Sequence, residues 1–360
     1  MDQQEQNKDL KINKVFNPKI IKKGVVYFLS ISVISLVAIF LYTNSGKTLE
    51  VWKQIHPLYL LLTLVFVAND LFLGAFRNHI FVKEFKPGGS FWISFKANLA
   101  NIFMGAVTPS QSGGGIAQFY IFYKNGVKLP DAITLSFINW ISTLLFFPIA
   151  GIISYFIIKD NIPPGFITYL AQFGFSIFTI LITVVLVALF FPHLVGELII
   201  KLGELIRKVS EKWSDKISGF GLKAKTSMID YRTKCVSLLK RKPQLMLFSF
   251  LITILLYLNK FFLAYIIVLA LGAKANLFVI LAIQAIIYLL LYFAPSPGGS
   301  GIAELSIAGL MAGVISEDYI GTFTVLQRSL LIFIPAIIGS FVVLKELNKE
   351  SSEEDSKNKA

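Results

Sequence analysis

Cysteine, histidine and charge are all scarce in this chain. A single cysteine, Cys235, excludes an internal disulfide. The three histidines, His56, His79 and His193, lie too far apart in sequence to share a metal-ligand spacing. No metal or cofactor is therefore implied. Charged residues make up 15% of the 360 residues, against about 25% in an ordinary soluble domain. The amino-terminal stretch is polar and lysine-rich, and no small-residue cleavage site follows it, so it does not read as a secretory signal.

What the chain has in excess is apolar length. Hydrophobic residues reach 55%, with 33 phenylalanines, more than one water-soluble core can bury. Runs at 24–43, 58–76, 132–158, 167–191, 245–271 and 320–344 are close to or above the roughly 20 residues that cross a bilayer. The net charge of +13 belongs to the same pattern. Its basic residues fall between or beside the apolar runs, as the positive-inside rule requires, and a nucleic-acid partner is not expected.

Charge also sets the expected topology. Lys8, Lys11, Lys14, Lys19, Lys22 and Lys23 place a tail, 1–23, in the cytoplasm. The basic segment 193–243 carries twelve Lys/Arg against five acids and belongs on the same side. Within it Leu198, Leu202, Leu205, Val209, Trp213 and Ile217 recur every three or four residues, an amphipathic pattern that fits either the membrane surface or a neighbouring helix. The expected organisation is one transmembrane domain, 24–344, followed by a charged cytoplasmic tail, 345–360. Two remaining segments, about 91–125 and 276–316, are apolar but broken near the middle by Pro, Gly and Ser. Six full spans satisfy the charge rule if each broken segment is a re-entrant hairpin; eight to ten crossings result if the arms span.

The two breaks resemble one another. Residues 109–118 align without gaps to 295–304, with six of ten positions identical. Pro109 pairs with Pro295, Ser110 with Ser296, Gly113 with Gly299 and Gly115 with Gly301; Gln118 pairs with Glu304. Asn69-Asp70 is matched by Asn259-Lys260, Asn98 by Gln284, and Gly126-Val127 by Gly313-Val314. The reading is a duplication, repeat 1 about 57–158 and repeat 2 about 245–344, each made of span, broken hairpin and span. The charge rule gives the copies opposite orientation. Inverted repeats with helices interrupted at matching places are a transporter signature, with the site at the repeat interface.

Irregular backbone at membrane depth must be buried in protein or line a wet cavity. A helix that restarts after a break presents free N–H groups and the positive end of its dipole. Pro109, Ser110, Gly113, Gly114, Gly115 and Gln118, with Pro295, Ser296, Pro297, Gly298, Gly299, Gly301 and Glu304, are therefore the candidate substrate-binding residues, suited to an anion. The alternative is that the same glycines provide only tight hairpin turns, a reading that two matched clusters with flanking polar residues disfavour. Neither cluster continues into the Gly-Lys-Ser/Thr of a P-loop, so direct ATP drive is not expected. Ionisable residues inside apolar runs add Arg328 and, at a span end, Arg77. Glu304 and Arg328 are expected to face each other or the cavity. Asp70 and Lys260, placed alike in the two copies, form a possible coupling or structural pair. Lys96 suits the cytoplasmic edge.

At these residues the chain resembles a known family. Arg77, the 109–115 cluster, Lys124-Asn125-Gly126, the run from Pro295 through Pro297-Gly298-Gly299 to Glu304, and Arg328 are similar to the flippase-like transmembrane domain at the N-terminus of bacterial lysylphosphatidylglycerol synthases, which also occurs free-standing in bacteria and archaea. The resemblance implies transbilayer movement of a lipid headgroup through a central cavity in the inner membrane of a prokaryote. It departs from the family in having Gln118 rather than an acid after the first cluster. Only a short charged stretch follows Leu344, so aminoacyl transfer is not expected. The leading expectation is a non-enzymatic transporter of an anionic phospho- or glycolipid. The rivals are an intramembrane lipid-modifying transferase, with Glu304 as base and Arg328 as phosphate clamp, and a non-transporting partner of a lipid synthase.

Overall fold

In a computed structural model the described residues are 18–42, 45–159, 191–207, 210–292 and 294–358, with a few isolated positions between 176 and 190. They form helices. The first, α1 (Pro18–Tyr42), is followed by α2 (Ser45–Gln54) and α3 (Pro57–Phe85). A helical hairpin follows, α4 (Phe91–Val107) and α5 (Ser112–Lys124), and then α6 (Leu129–Ile158). Two helices with little apolar length, α7 (Pro192–Ile206) and α8 (Glu211–Arg241), lead into α9 (Pro243–Ala270). The second hairpin is α10 (Leu277–Tyr292) with α11 (Ile302–Met311). The last span is α12 (Glu317–Arg328), a π turn (Ser329–Phe333) and α13 (Ile334–Asn358).

Five helical stretches are long and apolar enough to cross a bilayer: Ile21–Ile39, Pro57–Phe85, Leu129–Ile158, Pro243–Ala270 and Glu317–Glu346. They correspond to five of the six expected spans. The sixth, 167–191, lies almost wholly outside the described residues, as do Lys8, Lys11 and Lys14. The chain is thus an all-α polytopic membrane protein.

The hairpin arms are short. At 1.5 Å per residue the 17 residues of α4 reach about 26 Å and the 13 of α5 about 20 Å. The 16 of α10 reach about 24 Å, and the ten of α11 about 15 Å. A bilayer crossing takes about 17–25 residues, so α5, α10 and α11 fall short of it and α4 is at its lower limit.

The relation between the copies can be read from one interface. Helices α3 and α9 run antiparallel: His56 N–H donates to Ala270 O, Asn69 Nδ2 to Asn259 Oδ1, Arg77 Nη1 to Thr253 Oγ1, and Lys242 pairs with Glu84. As the α3 number rises, its α9 partner falls. The residues that match between the repeats also touch each other. Asn69 meets Asn259 at 2.8 Å, and Asp70 meets Lys260 at 2.7 Å. Contact between equivalent positions is what a two-fold axis produces. With the helices antiparallel, that axis lies across them, the geometry of an inverted repeat.

Buried polar groups pin the helices together. Asn78 Oδ1 accepts from Gln118 Nε2 and from Asn139 Nδ2, both at 2.7 Å. Asn101 Nδ2 donates to Gln118 Oε1 at 2.6 Å, and Ser249 Oγ to Asn139 Oδ1 at 3.0 Å. Five helices, α3, α4, α5, α6 and α9, meet in this network. Satisfied polar networks of this kind fix one packing where apolar side chains alone would allow several.

Candidate functional site

The two breaks meet. Pro109 and Pro297 form an antiparallel backbone bridge, so the tips of the hairpins touch one another. Both tips make the same turn. Gln111 N–H donates to Thr108 O and Ser112 N–H to Pro109 O; Gly299 N–H donates to Ser296 O and Ser300 N–H to Pro297 O. Both also hold two successive residues in the left-handed region, Ser110 (φ 51°) and Gln111 (φ 54°) in the first, Gly298 (φ 58°) and Gly299 (φ 68°) in the second.

This register corrects the ungapped alignment. At the turn Pro109 is equivalent to Pro297, not Pro295, and Ser110 to Gly298. The alignment follows the identical Gly, Ile and Ala of the restarting helices. The turn is placed by backbone conformation, which Ser and Gln can adopt at a cost and Gly adopts freely.

The restarting helices are capped from within. Gly113 N–H donates to Thr108 Oγ1 at 2.9 Å, and Gly301 N–H to the Glu304 carboxylate at 2.6 Å. Glu304 is fully buried and its other oxygen accepts from Arg328 Nε at 3.0 Å. The rest of the Arg328 guanidinium donates to Gly298 O at 3.1 and 3.2 Å and to Ser300 Oγ at 3.4 Å. Ser300 Oγ also meets Ser32 of α1 at 2.7 Å, and a side chain on Gly298 would collide with Phe28 of the same helix. The second tip is thus latched by Glu304, Arg328 and α1.

Ser112 Oγ donates back to Pro109 O, and Ser296 Oγ is buried without a partner among the described residues. Pro109, Ser110, Gln111 and Ser112 are exposed, and so is Pro295. Gly114 lies against Asn101, where a Cβ would stand 2.8 Å from the Asn101 carbonyl, and Gly115 faces open space. Gln118 donates to Asn78 and accepts from Asn101, so one amide hydrogen and one carbonyl lone pair are used inside the helix network.

Beside the paired tips lies a cavity of about 200 Å³. Gln111 and Gly298 reach it from the tips, Asp70 and Arg77 from α3, Lys260 from α9, and Arg328 from the last span. Its level is near the middle of α3 and α9, since Asp70 and Lys260 sit close to the midpoints of both helices. Lys260 Nζ lies 2.6 and 2.7 Å from the two oxygens of Asp70, which closes that pair on itself. Arg77 differs. Its Nη1 donates to Thr143 Oγ1 at 3.2 Å and Thr253 Oγ1 at 3.1 Å, and its Nε has no hydrogen-bond partner among the described residues. Among the described residues Arg77 makes no ion pair with a carboxylate. Lys96, by contrast, pairs with Glu346 at 3.3 Å, outside the cavity.

Three cavity residues escaped the sequence reading: Tyr257, Tyr288 and Tyr292. Tyr257 stacks on Phe146 with centroids 4.9 Å apart and meets Tyr288 edge-on at 5.9 Å, and Tyr292 lies 5.7 Å from Phe147. Spacing offered a signal. Tyr257 stands one turn before Lys260, and Tyr288 one turn before Tyr292, so each shares a helix face with a cavity position.

A family described as the lysylphosphatidylglycerol synthase TM region matches residues 27–339. The chain belongs to this family. A protein of Archaeoglobus fulgidus described as a UPF0104 membrane protein is 26% identical over 323 residues, which cover 88% of this chain and 96% of that relative. The match to the lysylphosphatidylglycerol synthase TM region spans both hairpins, the cavity and the α3–α9 interface.

Proposed function

We propose that this member of the family moves a phospholipid headgroup across the membrane through the cavity beside the paired hairpin tips. The observation that carries the proposal is a charged cavity at mid-height of two spans. Asp70, Arg77, Lys260 and Arg328 all face it. Ionisable groups at bilayer depth are costly and are kept where they serve a substrate path. The inverted relation of α3 and α9 supports the same reading, because alternating access works by rocking one repeat against the other around a shared site.

The cavity is smaller than the roughly 300 Å³ or more of a pocket that encloses a whole small ligand, so it suits a headgroup whose acyl chains remain in lipid. In this reading the anion is held by Arg77 rather than by the helix N-termini, which Thr108 and Glu304 already cap. The protein resides in the cytoplasmic membrane with both termini inside, as its lysine distribution favours.

The test is reconstitution of the full chain into liposomes containing a fluorescent acyl-labelled phospholipid, with an impermeant quencher outside. The expected result is quenching beyond the outer-leaflet fraction, reduced at least tenfold in rate by Arg77→Gln. Quenching that stops at the protein-free level for anionic, zwitterionic and glycolipid probes alike would overturn the proposal.

A further inference from the structure

The charges and hydroxyls of the cavity go further than "a headgroup" and select among headgroups; this step rests on the translocation reading for its biological sense, though its chemistry is independent of it. Each carboxylate near the site is already matched. Asp70 is held at 2.6 and 2.7 Å by Lys260, and Glu304 at 3.0 Å by Arg328 while it also caps Gly301. Arg77 is the cation left over, with two threonine hydroxyls on Nη1 and, among the described residues, nothing on Nε. The cavity therefore has one excess positive charge, placed in a low-dielectric region where charge counts for more than in water.

Against that charge stands the tyrosine wall. Tyr288 makes ring contacts with Tyr257 and Phe261, but its hydroxyl has no hydrogen-bond partner among the described residues. Asn98 and Asn101 line the cavity from α4. A guanidinium beside phenols and carboxamides matches a phosphodiester that carries neutral hydroxyls, since the guanidinium fork takes phosphate oxygens and the phenols and amides take hydroxyls. The same surroundings repel an ammonium, for which no unpaired carboxylate remains.

We infer that Arg77, Tyr288 and their neighbours form a site selective for an acidic phosphodiester with a hydroxylated, uncharged headgroup, and that it rejects the aminoacylated, cationic form of the same lipid.

The experiment measures binding first and transport second. Purified full chain in detergent is titrated with short-chain phosphatidylglycerol, with its lysyl ester, and with glycerol phosphate lacking acyl chains. The expected result is that phosphatidylglycerol binds about tenfold more tightly than the lysyl ester, a modest value for one like-charge contact removed from water. Arg77→Gln should bring the two within about twofold, and Arg77→Lys, which keeps the charge, should keep the preference. Tyr288→Phe, which removes only a hydroxyl, should weaken phosphatidylglycerol without weakening the lysyl ester.

Equal or tighter binding of the lysyl ester to the wild type overturns the inference, and so does a preference that survives Arg77→Gln. Binding of glycerol phosphate as tight as that of the lipid would assign the site to a soluble phosphate ester and overturn the lipid part. The same three ligands are then followed in liposomes. Selective binding without exchange refutes translocation and leaves this inference standing. Exchange without selectivity refutes this inference and leaves translocation standing.

Discussion

The two hairpin tips share one backbone turn and differ in nearly everything that holds it. In the second tip the left-handed positions are glycines, the carbonyl of Gly298 receives the Arg328 guanidinium, and Glu304 is completely buried. In the first tip the same positions are Ser110 and Gln111, both exposed, and the helix start is held by one threonine hydroxyl. A duplicated element has thus become one fixed wall and one lightly held wall of the same cavity. In the proposed translocation the ion-paired half would serve as the reference frame, and the exposed half is where motion would cost least.

The comparison breaks most sharply at Arg328. Replacing it by alanine leaves Glu304, with no exposed surface, as an unpaired buried charge, and removes the donors from Gly298 O and Ser300 Oγ. Losing one partner of a buried ion pair costs about 3–5 kcal/mol. The expected outcome is a large fall in the melting temperature of the purified protein. Ser112→Ala in the first tip removes only an exposed hydroxyl bonded to Pro109 O and should leave the melting temperature nearly unchanged. A stable Arg328→Ala protein would mean that the second tip is not held by its ion pair.

A reciprocal exchange sharpens the register. Gly298→Ser places a side chain at φ 58°, where its Cβ would come 2.7 Å from Phe28 and 3.1 Å from Ala106 O. Left-handed backbone alone costs a non-glycine residue about 1–2 kcal/mol. The loss in Gly298→Ser should exceed that strain because of the collision. Ser110→Gly relieves the strain at φ 51° and should be neutral or stabilising by up to about 1 kcal/mol. If the ungapped alignment gave the true equivalence, Ser112 and not Ser110 would mirror Gly298, and Ser110→Gly would bring no gain.

Much of this was legible in the sequence because it depends on length and polarity. The apolar runs announced the spans, the Pro/Gly clusters announced the breaks, and Asn69-Asp70 against Asn259-Lys260 marked the helices that carry the two-fold relation. What stayed hidden depends on three-dimensional detail. Ser32 and Phe28, which seal the second tip, look like any residues of a first span. The tyrosines of the cavity are three aromatics in a chain with 13 tyrosines and 33 phenylalanines, and only their facing Arg77 and Lys260 gives them meaning. The helix N-termini promised open donors, yet the donors are used inside the protein, because a break buried in the membrane must satisfy its own backbone before it can serve a ligand.

The smallest effect tests the caps. Thr108 and Ser296 occupy the same place in the two turns. Thr108 Oγ1 accepts from Gly113 N–H and donates to Met104 O, whereas Ser296 Oγ is buried with no partner among the described residues. Loss of an N-terminal capping hydroxyl costs about 1 kcal/mol. Thr108→Ala should lower stability by that order and speed amide exchange over Gly113–Ile116, without touching the second tip. Ser296→Ala removes a hydroxyl whose burial was never compensated, and should be neutral or slightly stabilising. Similar costs for both substitutions would show that the two tips are held in the same way, and the contrast between a latched and a lightly held half would fail at the residue where the two turns differ least.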